Sequence, residues 1–448
     1  MSVANYQNQV INKIKDYLIR INKSSINTSK SALCYFVGWD LSTGLTNIRS
    51  KIDFRKSFTF FLVYLRDLMS IGYQHNYNLI SSIKNFEFEN MVITWAEKKS
   101  FNSNGSLNDT YTRSNSRKMS NTLWLVIYMD FELPKNLDKN IIILKRSSKP
   151  NFNLFYLFKT ILKIFLQNSL NLKKVAHYAS SHSNFGNIVL KKTKPYLSNK
   201  KLKKIFMPYE AQPFQQMIIS FTKKNNKKIK ILGYIHDFEP ITPNLIYKKD
   251  SPDLLLLPGK QRKKYFSNHL NWPKKRIKTI PSLRYYRDDF KNILKNKILL
   301  PSGIYNIKKV TEHIETFLSS TSNNSLKPIK VRIHPSSTSP KLQKKLKENI
   351  DKIIIKNKNK FSNSSKNKDT TIVIGITSLL IIALENRSRV IQICMDPEIQ
   401  AYSKFFSSNI VTERLDENIF SYSLKKKENC FSFGNKKNSL NKIIRSCR

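Results

Sequence analysis

The segment TTIVIGITSLLIIALENRSRVIQICMD, which ends at Asp396, constrains the fold more than any other part of the chain. Residues 371–374 are a short β-branched run, the pattern of a strand buried on both faces. Gly375 permits a sharp turn, and Thr377 and Ser378 stand where a helix begins. Residues 379–384 supply that helix, and 390–394 read as the next buried strand. A strand, turn, helix and strand of these lengths imply a parallel sheet with a covering helix. The two hydroxyls have two readings. They cap the helix, or they join the free N–H groups of the helix start in holding a phosphate.

A chain of 448 residues is long enough for two domains with full cores. Its charge is lopsided: 79 Lys and Arg against 30 Asp and Glu, a formal +49. Such a surface attracts polyanions, which include nucleic acid, anionic lipid headgroups and nucleotide substrates. The excess is mostly Lys, spread along the chain with abundant Asn and Ile, as a genome rich in A and T would produce. A confined basic arm, a Cys/His finger and an Arg-rich aromatic platform are all missing, so nucleic acid is set aside as a partner. Cys34, Cys394, Cys430 and Cys447 are scattered without metal-ligand spacing. The start of the chain does not read as a signal peptide, so a reducing cytoplasmic setting is expected. The longest uncharged apolar stretch is about 15 residues and contains Gly375, short for a membrane span.

In chain order, VINKIKDYLIRI reads as a surface helix, SALCYFV as a first strand and FTFFLVYLRDLM as a buried helix. Further strands are expected at 91–95, 121–130 and 140–144, with a long polar loop over 98–120. Residues 151–167, NFNLFYLFKTILKIFLQ, form a helix with Lys159 and Lys163 off its apolar face. A core helix with snorkelling lysines is favoured there over an interfacial helix on an anionic membrane. His177 and His182 fall in a Ser-rich stretch read as loop, with no carboxylate near to complete a metal site.

The segment from Lys204 reads as strand (205–207), loop, helix (213–221), strand (229–235) and loop. Both strands deliver polar groups at their C-terminal ends: Tyr209, Glu210 and Gln212 from the first, His236, Asp237 and Glu239 from the second. In open α/β sheets ligands bind at the carboxyl ends of the strands. Glu210, or the His236–Asp237 pair, is suited to general-base work, against the plainer reading of loop and capping residues. Arg284 and Arg287 stand where they could meet a phosphate. Near residue 290 the pattern restarts with KILLP. PIKVRIHP then ends a strand with Arg332 and His334 on one side, both phosphate donors by type, two βα units before the opening segment. The expected architecture is α/β, two Rossmann-like doubly wound domains facing a cleft. The division is 1–290 for the acceptor-side domain, 291–410 for the nucleotide-donor domain, and 411–448 for a Lys/Asn-rich tail.

PYEAQPFQ with GYIHDFEP, and VRIHP with GITSLLIIALENRSRVIQIC, together resemble GT-B glycosyltransferases of bacterial surface-carbohydrate assembly, the builders of capsule and O-antigen chains. The resemblance spans roughly residues 200–400 and rests on an ordered set of modest motifs. It implies transfer of a sugar from a nucleotide-sugar donor to a glycan or lipid-linked acceptor, in the cytoplasm and in peripheral contact with the anionic inner membrane. It implies Arg332, His334, Gly375, Thr377 and Ser378 near the donor phosphates, and Glu210 as first choice of base. Tyr209, Gln212 and Glu239 would lie on the acceptor side. No metal and no cofactor is implied, because helix dipoles and basic side chains neutralise the leaving phosphate in such enzymes. One departure stands out. Similar sequences carry a glutamate where Ile382 stands and a glycine where Arg387 stands, which leaves Glu385 either to take the donor contact or to be only a helix-surface carboxylate. The same elements also resemble CMP-Kdo, sialyl and polyol-phosphate transferases, sugar-nucleotide epimerases, and a non-catalytic carbohydrate-assembly protein.

Overall fold

The computed structural model describes residues 2–23, 69, 72–74, 76–81, 86–146, 151–167, 181–290, 294–301, 306–334, 340–425, 429–435 and 439–447. The strands are β1 (Tyr73–Gln74), β2 (Tyr77–Ser81), β3 (Asn90–Ala96), β4 (Thr122–Tyr128), β5 (Ile141–Arg146), β6 (Asn151–Phe152), β7 (Lys204–Pro208) and β8 (Lys230–Tyr234). They continue with β9 (Leu254–Leu257), β10 (Ile277–Thr279), β11 (Lys297–Leu299), β12 (Lys330–Arg332), β13 (Thr370–Ile374), β14 (Arg389–Ile393), β15 (Ile410–Asp416) and β16 (Ile419–Leu424). The helices are α1 (Val3–Lys23), α2 (Leu154–Gln167), α3 (Ser181–Leu197), α4 (Pro213–Asn225), α5 (Lys260–Asn268), α6 (Ile307–Ser320), α7 (Pro340–Lys356), α8 (Leu379–Glu385), α9 (Pro397–Gln400) and α10 (Leu440–Ser446).

The first half builds an eight-stranded sheet in the order β10-β9-β8-β7-β3-β4-β5-β2, and β1 pairs with β6 as a small ribbon. All its pairings are parallel except that of β2, which runs antiparallel along β5 at the edge. Alternate residues of each strand go to opposite faces, and both faces are buried. Met91, Ile93, Leu123, Leu125, Ile205, Met207 and Ile231 pack with residues of α1, α3 and α4. Val92, Trp124, Val126, Phe206 and Leu232 pack on the other face with Leu107 and Met119 from the 98–120 loop and with Leu440, Ile443 and Ile444 of α10.

The second half forms a six-stranded sheet, β12-β11-β13-β14-β16-β15, parallel from β12 to β14 and antiparallel across β16 and β15. Ile298, Ile372, Ile374, Ile391 and Ile393 bury against α6 and α7, while Leu299, Val373 and Val390 bury against α8. α8 is apolar nearly all round, and Leu380 through Leu384 are all buried, each large side chain contributing roughly 1.5–3 kcal/mol.

Several expectations change. Only α7 separates β12 from β13, one crossover rather than two βα units, and β11 lies between the two strands in the sheet. Residues 411–448 do not trail off as a tail. They supply β16 and most of β15, which close the second sheet, and α10, whose Leu440, Ile443 and Ile444 cover the first. Short apolar residues set among Lys and Asn hid these elements. His182 falls in α3 rather than a loop, and His177 lies outside the described residues, as do SALCYFV and FTFFLVYLRDLM apart from Met69. The favoured core placement of 151–167 also fails. In α2, Leu157 is buried, but Leu154, Phe155, Phe158 and Leu162 are exposed.

Candidate functional site

The C-terminal edges of the two sheets face each other across a cavity of about 410 Å³. From the first half come Asp237 and Glu239, which follow β8, and Arg284 and Tyr285, which follow β10. From the second come Arg332, the last residue of β12, His334 beyond it, and Ile376 to Leu379 at the start of α8. Of the residues singled out in sequence, the cavity thus gathers Asp237, Glu239, Arg284, Arg332, His334, Thr377 and Ser378.

Glu210 and His236 meet each other rather than the cavity wall. His236 Nε2 lies 3.1 Å from Glu210 Oε1, and both side chains are largely buried. Gln212 Nε2 donates to the other Glu210 oxygen at 2.7 Å, and Asn244 donates to the Glu210 carbonyl at 2.7 Å. The turn after β7 is held tightly. Ala211 sits at φ 56, a left-handed conformation unusual for a side chain with a Cβ. Buried Gln215 and Gln216 bridge that turn, bonding to the Pro208 and Ala211 carbonyls at 2.6 and 3.0 Å. Such strain persists where surrounding contacts over-determine it, and it clusters at functional sites. Tyr209 is 1% exposed and belongs to the core rather than an acceptor surface.

Glu239 is pushed up to about 8, first by burial and then by Asp237 and Glu210, with Arg262 opposing. Near neutral pH it is therefore mostly protonated and can donate a hydrogen bond. Asp237 stands two residues away at the same cavity wall.

On the facing wall Gly375 adopts φ +70, which makes the sharp turn after β13 possible, and the space beside it is open. The Thr377 hydroxyl accepts from the Leu379 N–H at 3.3 Å, and the Ser378 hydroxyl accepts from the Phe238 N–H at 3.1 Å. The Thr377 hydroxyl thus takes the first helical N–H, and the Ser378 hydroxyl ties the halves together, a role neither reading anticipated. α8 spans only seven residues, so its dipole is slight. Positive potential in the cavity comes instead from Arg284 and Arg332, with His334 beside them. Arg332 Nη1 is buried and has no hydrogen-bond partner among the described residues.

Glu385 is not part of the cavity lining. Its carboxylate accepts from the Cys430 N–H at 2.5 Å and the Phe431 N–H at 3.0 Å, and holds that segment against α8. Burial raises it to about 7, against the pull of those two N–H groups. Ile382 is fully buried in the second core. Arg387, where similar sequences have glycine, keeps the backbone that glycine would favour, at φ 61.

Three residues escaped sequence reasoning. Tyr111 sets its ring edge-on to His236 at 4.6 Å and lies under the Arg284 guanidinium at 5.3 Å. Buried Asp109 anchors that loop through Thr94 (2.5 Å) and Thr112 (2.6 Å). Arg262, 1% exposed, lies over Phe406 at 4.7 Å and Phe238 at 5.9 Å and donates to the Glu239 carbonyl at 3.3 Å. The only signal in sequence was the length of the 98–120 loop; Arg262 looked like one more base in KQRKK.

No family model and no curated protein matches the chain. Among solved structures, the crystal structure of a glycosyltransferase from Rickettsia africae ESF-5 is similar over 68% of this chain and 78% of that chain, at 14% identity and a TM-score of 0.32. A likeness that faint carries no functional argument, and the reading below rests on the cavity.

Proposed function

We propose that the protein is a glycosyltransferase of GT-B type that moves a sugar from a nucleotide-activated donor to a glycan or lipid-linked acceptor of surface-carbohydrate assembly. One observation carries this reading. Strand-end carboxylates of one α/β unit and strand-end cations of another converge on a single cavity between them. Arg284, Arg332 and His334 would face the donor phosphates, where the two guanidinium charges offset that of the departing nucleotide and His334 donates a hydrogen bond. Asp237, at the wall, would accept the acceptor hydroxyl's proton as that oxygen attacks the anomeric carbon and the bond to phosphate breaks. His236 precedes Asp237 in the chain, so its contact with Glu210 would orient the strand end that carries Asp237. Protonated Glu239 would donate to donor or acceptor oxygen. The proposed reaction uses no metal and no cofactor.

The test is donor turnover by Asp237→Asn, Glu210→Ala and His334→Ala against a panel of nucleotide sugars with a glycan or lipid-linked acceptor. Loss of the base lowers turnover by about 10²–10⁴-fold. If none of the three reduced it, the enzyme reading would fail. Isomerisation of free nucleotide sugar without transfer would replace it with an epimerase.

A further inference from the structure

Among the described residues, ten of the sixteen exposed large apolar side chains fall between positions 69 and 162. Met69, Tyr73, Met129, Phe131, Leu133, Phe152, Leu154, Phe155, Phe158 and Leu162 are all exposed, with Phe131 at 85% and Phe155 at 76%. On α2 the residues at 154, 155, 158 and 162 share one face, while Leu157 anchors the opposite face in the fold. Tyr73 and Phe152 pack ring against ring at 5.1 Å beside the start of that helix. The turn carrying Met129, Phe131 and Leu133 follows the C-terminal end of β4, next to that of β5. These are the same ends of the sheet at which Glu210 and His236 follow β7 and β8.

The charge around this face is mostly positive. Residues 139–209 contain fourteen Lys, one Arg and no Asp or Glu. Lys159 on α2, and Lys135 and Lys139 ahead of β5, are exposed. The acids nearest Phe131 are already engaged: Glu132 pairs with Lys98 Nζ at 2.5 Å, and Asp130 accepts the Lys98 N–H at 2.6 Å. We propose that this face, α2 with the 129–133 turn, seats on an anionic lipid bilayer, the apolar side chains entering the headgroup–acyl boundary and the lysines meeting the headgroups. A monotopic helix of this kind needs an apolar face and a cationic border. An anionic bilayer supplies the complement to both, whereas a protein partner would need an apolar patch with an acidic rim of its own. Docking stands apart from the catalytic reading. Its consequence, that a lipid-linked acceptor enters the cleft from the membrane side, rests on that reading.

Co-flotation of the full chain with phosphatidylcholine vesicles, with and without phosphatidylglycerol, tests the proposal. The wild type should float with the phosphatidylglycerol vesicles and at least about tenfold less with pure phosphatidylcholine. Phe155→Gln with Phe158→Gln, both at exposed positions, should lower partitioning onto phosphatidylglycerol vesicles at least about tenfold while leaving nucleotide-induced thermal shifts unchanged. The proposal is overturned if the wild type stays unbound, or if the double variant floats as well as the wild type. A wild-type dimer in sedimentation velocity that the double variant makes monomeric would assign the face to self-association and overturn it as well. Absence of any nucleotide shift in both proteins would count against the donor site alone.

Discussion

Glu239 gives the site its clearest pH signature. Its carboxyl is pushed up to about 8 in the folded chain, against about 4.3 when unfolded. Between those values the folded protein keeps a proton that the unfolded chain releases, so this residue's contribution to stability is fully present at low pH and is lost as pH rises through about 8. Glu239→Gln removes that titration, while Glu385 contributes equally to both proteins. The variant should match the wild type in unfolding free energy, from urea titration, near about pH 5 and exceed it above about pH 8, by on the order of a few kcal/mol. A gap that stays constant with pH would mean that Glu239 is ionised in the fold. The chemistry of this residue was visible in sequence, as an acid after a buried strand. Its protonation was not, because that depends on Asp237, Glu210 and Arg262, which lie elsewhere in the chain or loop.

At the level of elements, the end of α8 shows how a local rule can be kept with an unsuitable residue. The Ser388 N–H donates to the Ala383 carbonyl at 3.1 Å and the Arg387 N–H to Leu384 at 2.9 Å, the two bonds of a Schellman helix end. Its left-handed position holds exposed Arg387, whose guanidinium makes a long 3.5 Å contact with Asn429. Arg387→Gly should therefore raise stability by about 0.5–1 kcal/mol, seen as a higher denaturant midpoint. A lower midpoint would show that Arg387 contributes more than its backbone costs. Most strands and helices between 204 and 394 were legible, because buried β-branched runs and Pro or Gly boundaries mark them. α2 was legible as a helix and misleading in its placement. Periodicity reveals an apolar face but not what covers it.

Across the whole molecule the chain ends cross between the two halves. α1 reaches the second half through Gln7, which donates to the Ala401 carbonyl at 2.8 Å and accepts from Ser403 at 2.9 Å. α10 returns to cover the first sheet. At the centre the Tyr402 hydroxyl donates to the Phe238 carbonyl, and the Phe238 N–H donates to Ser378. The loop carrying Asp237 and Glu239 is thus fastened to the wall that carries Thr377 and Ser378. No local pattern announces such pairings, which join residues 140 or more positions apart. The central claim is that the cavity between the halves holds the phosphates of a nucleotide-activated donor. Thermal-shift titration with UDP, GDP, CMP and CDP tests it most directly, on the wild type and on Arg332→Ala. At least one nucleotide should raise the wild-type melting temperature by a few degrees, with affinity about tenfold or more weaker in Arg332→Ala. No shift with any of the four, or a shift that Arg332→Ala leaves intact, would contradict the claim.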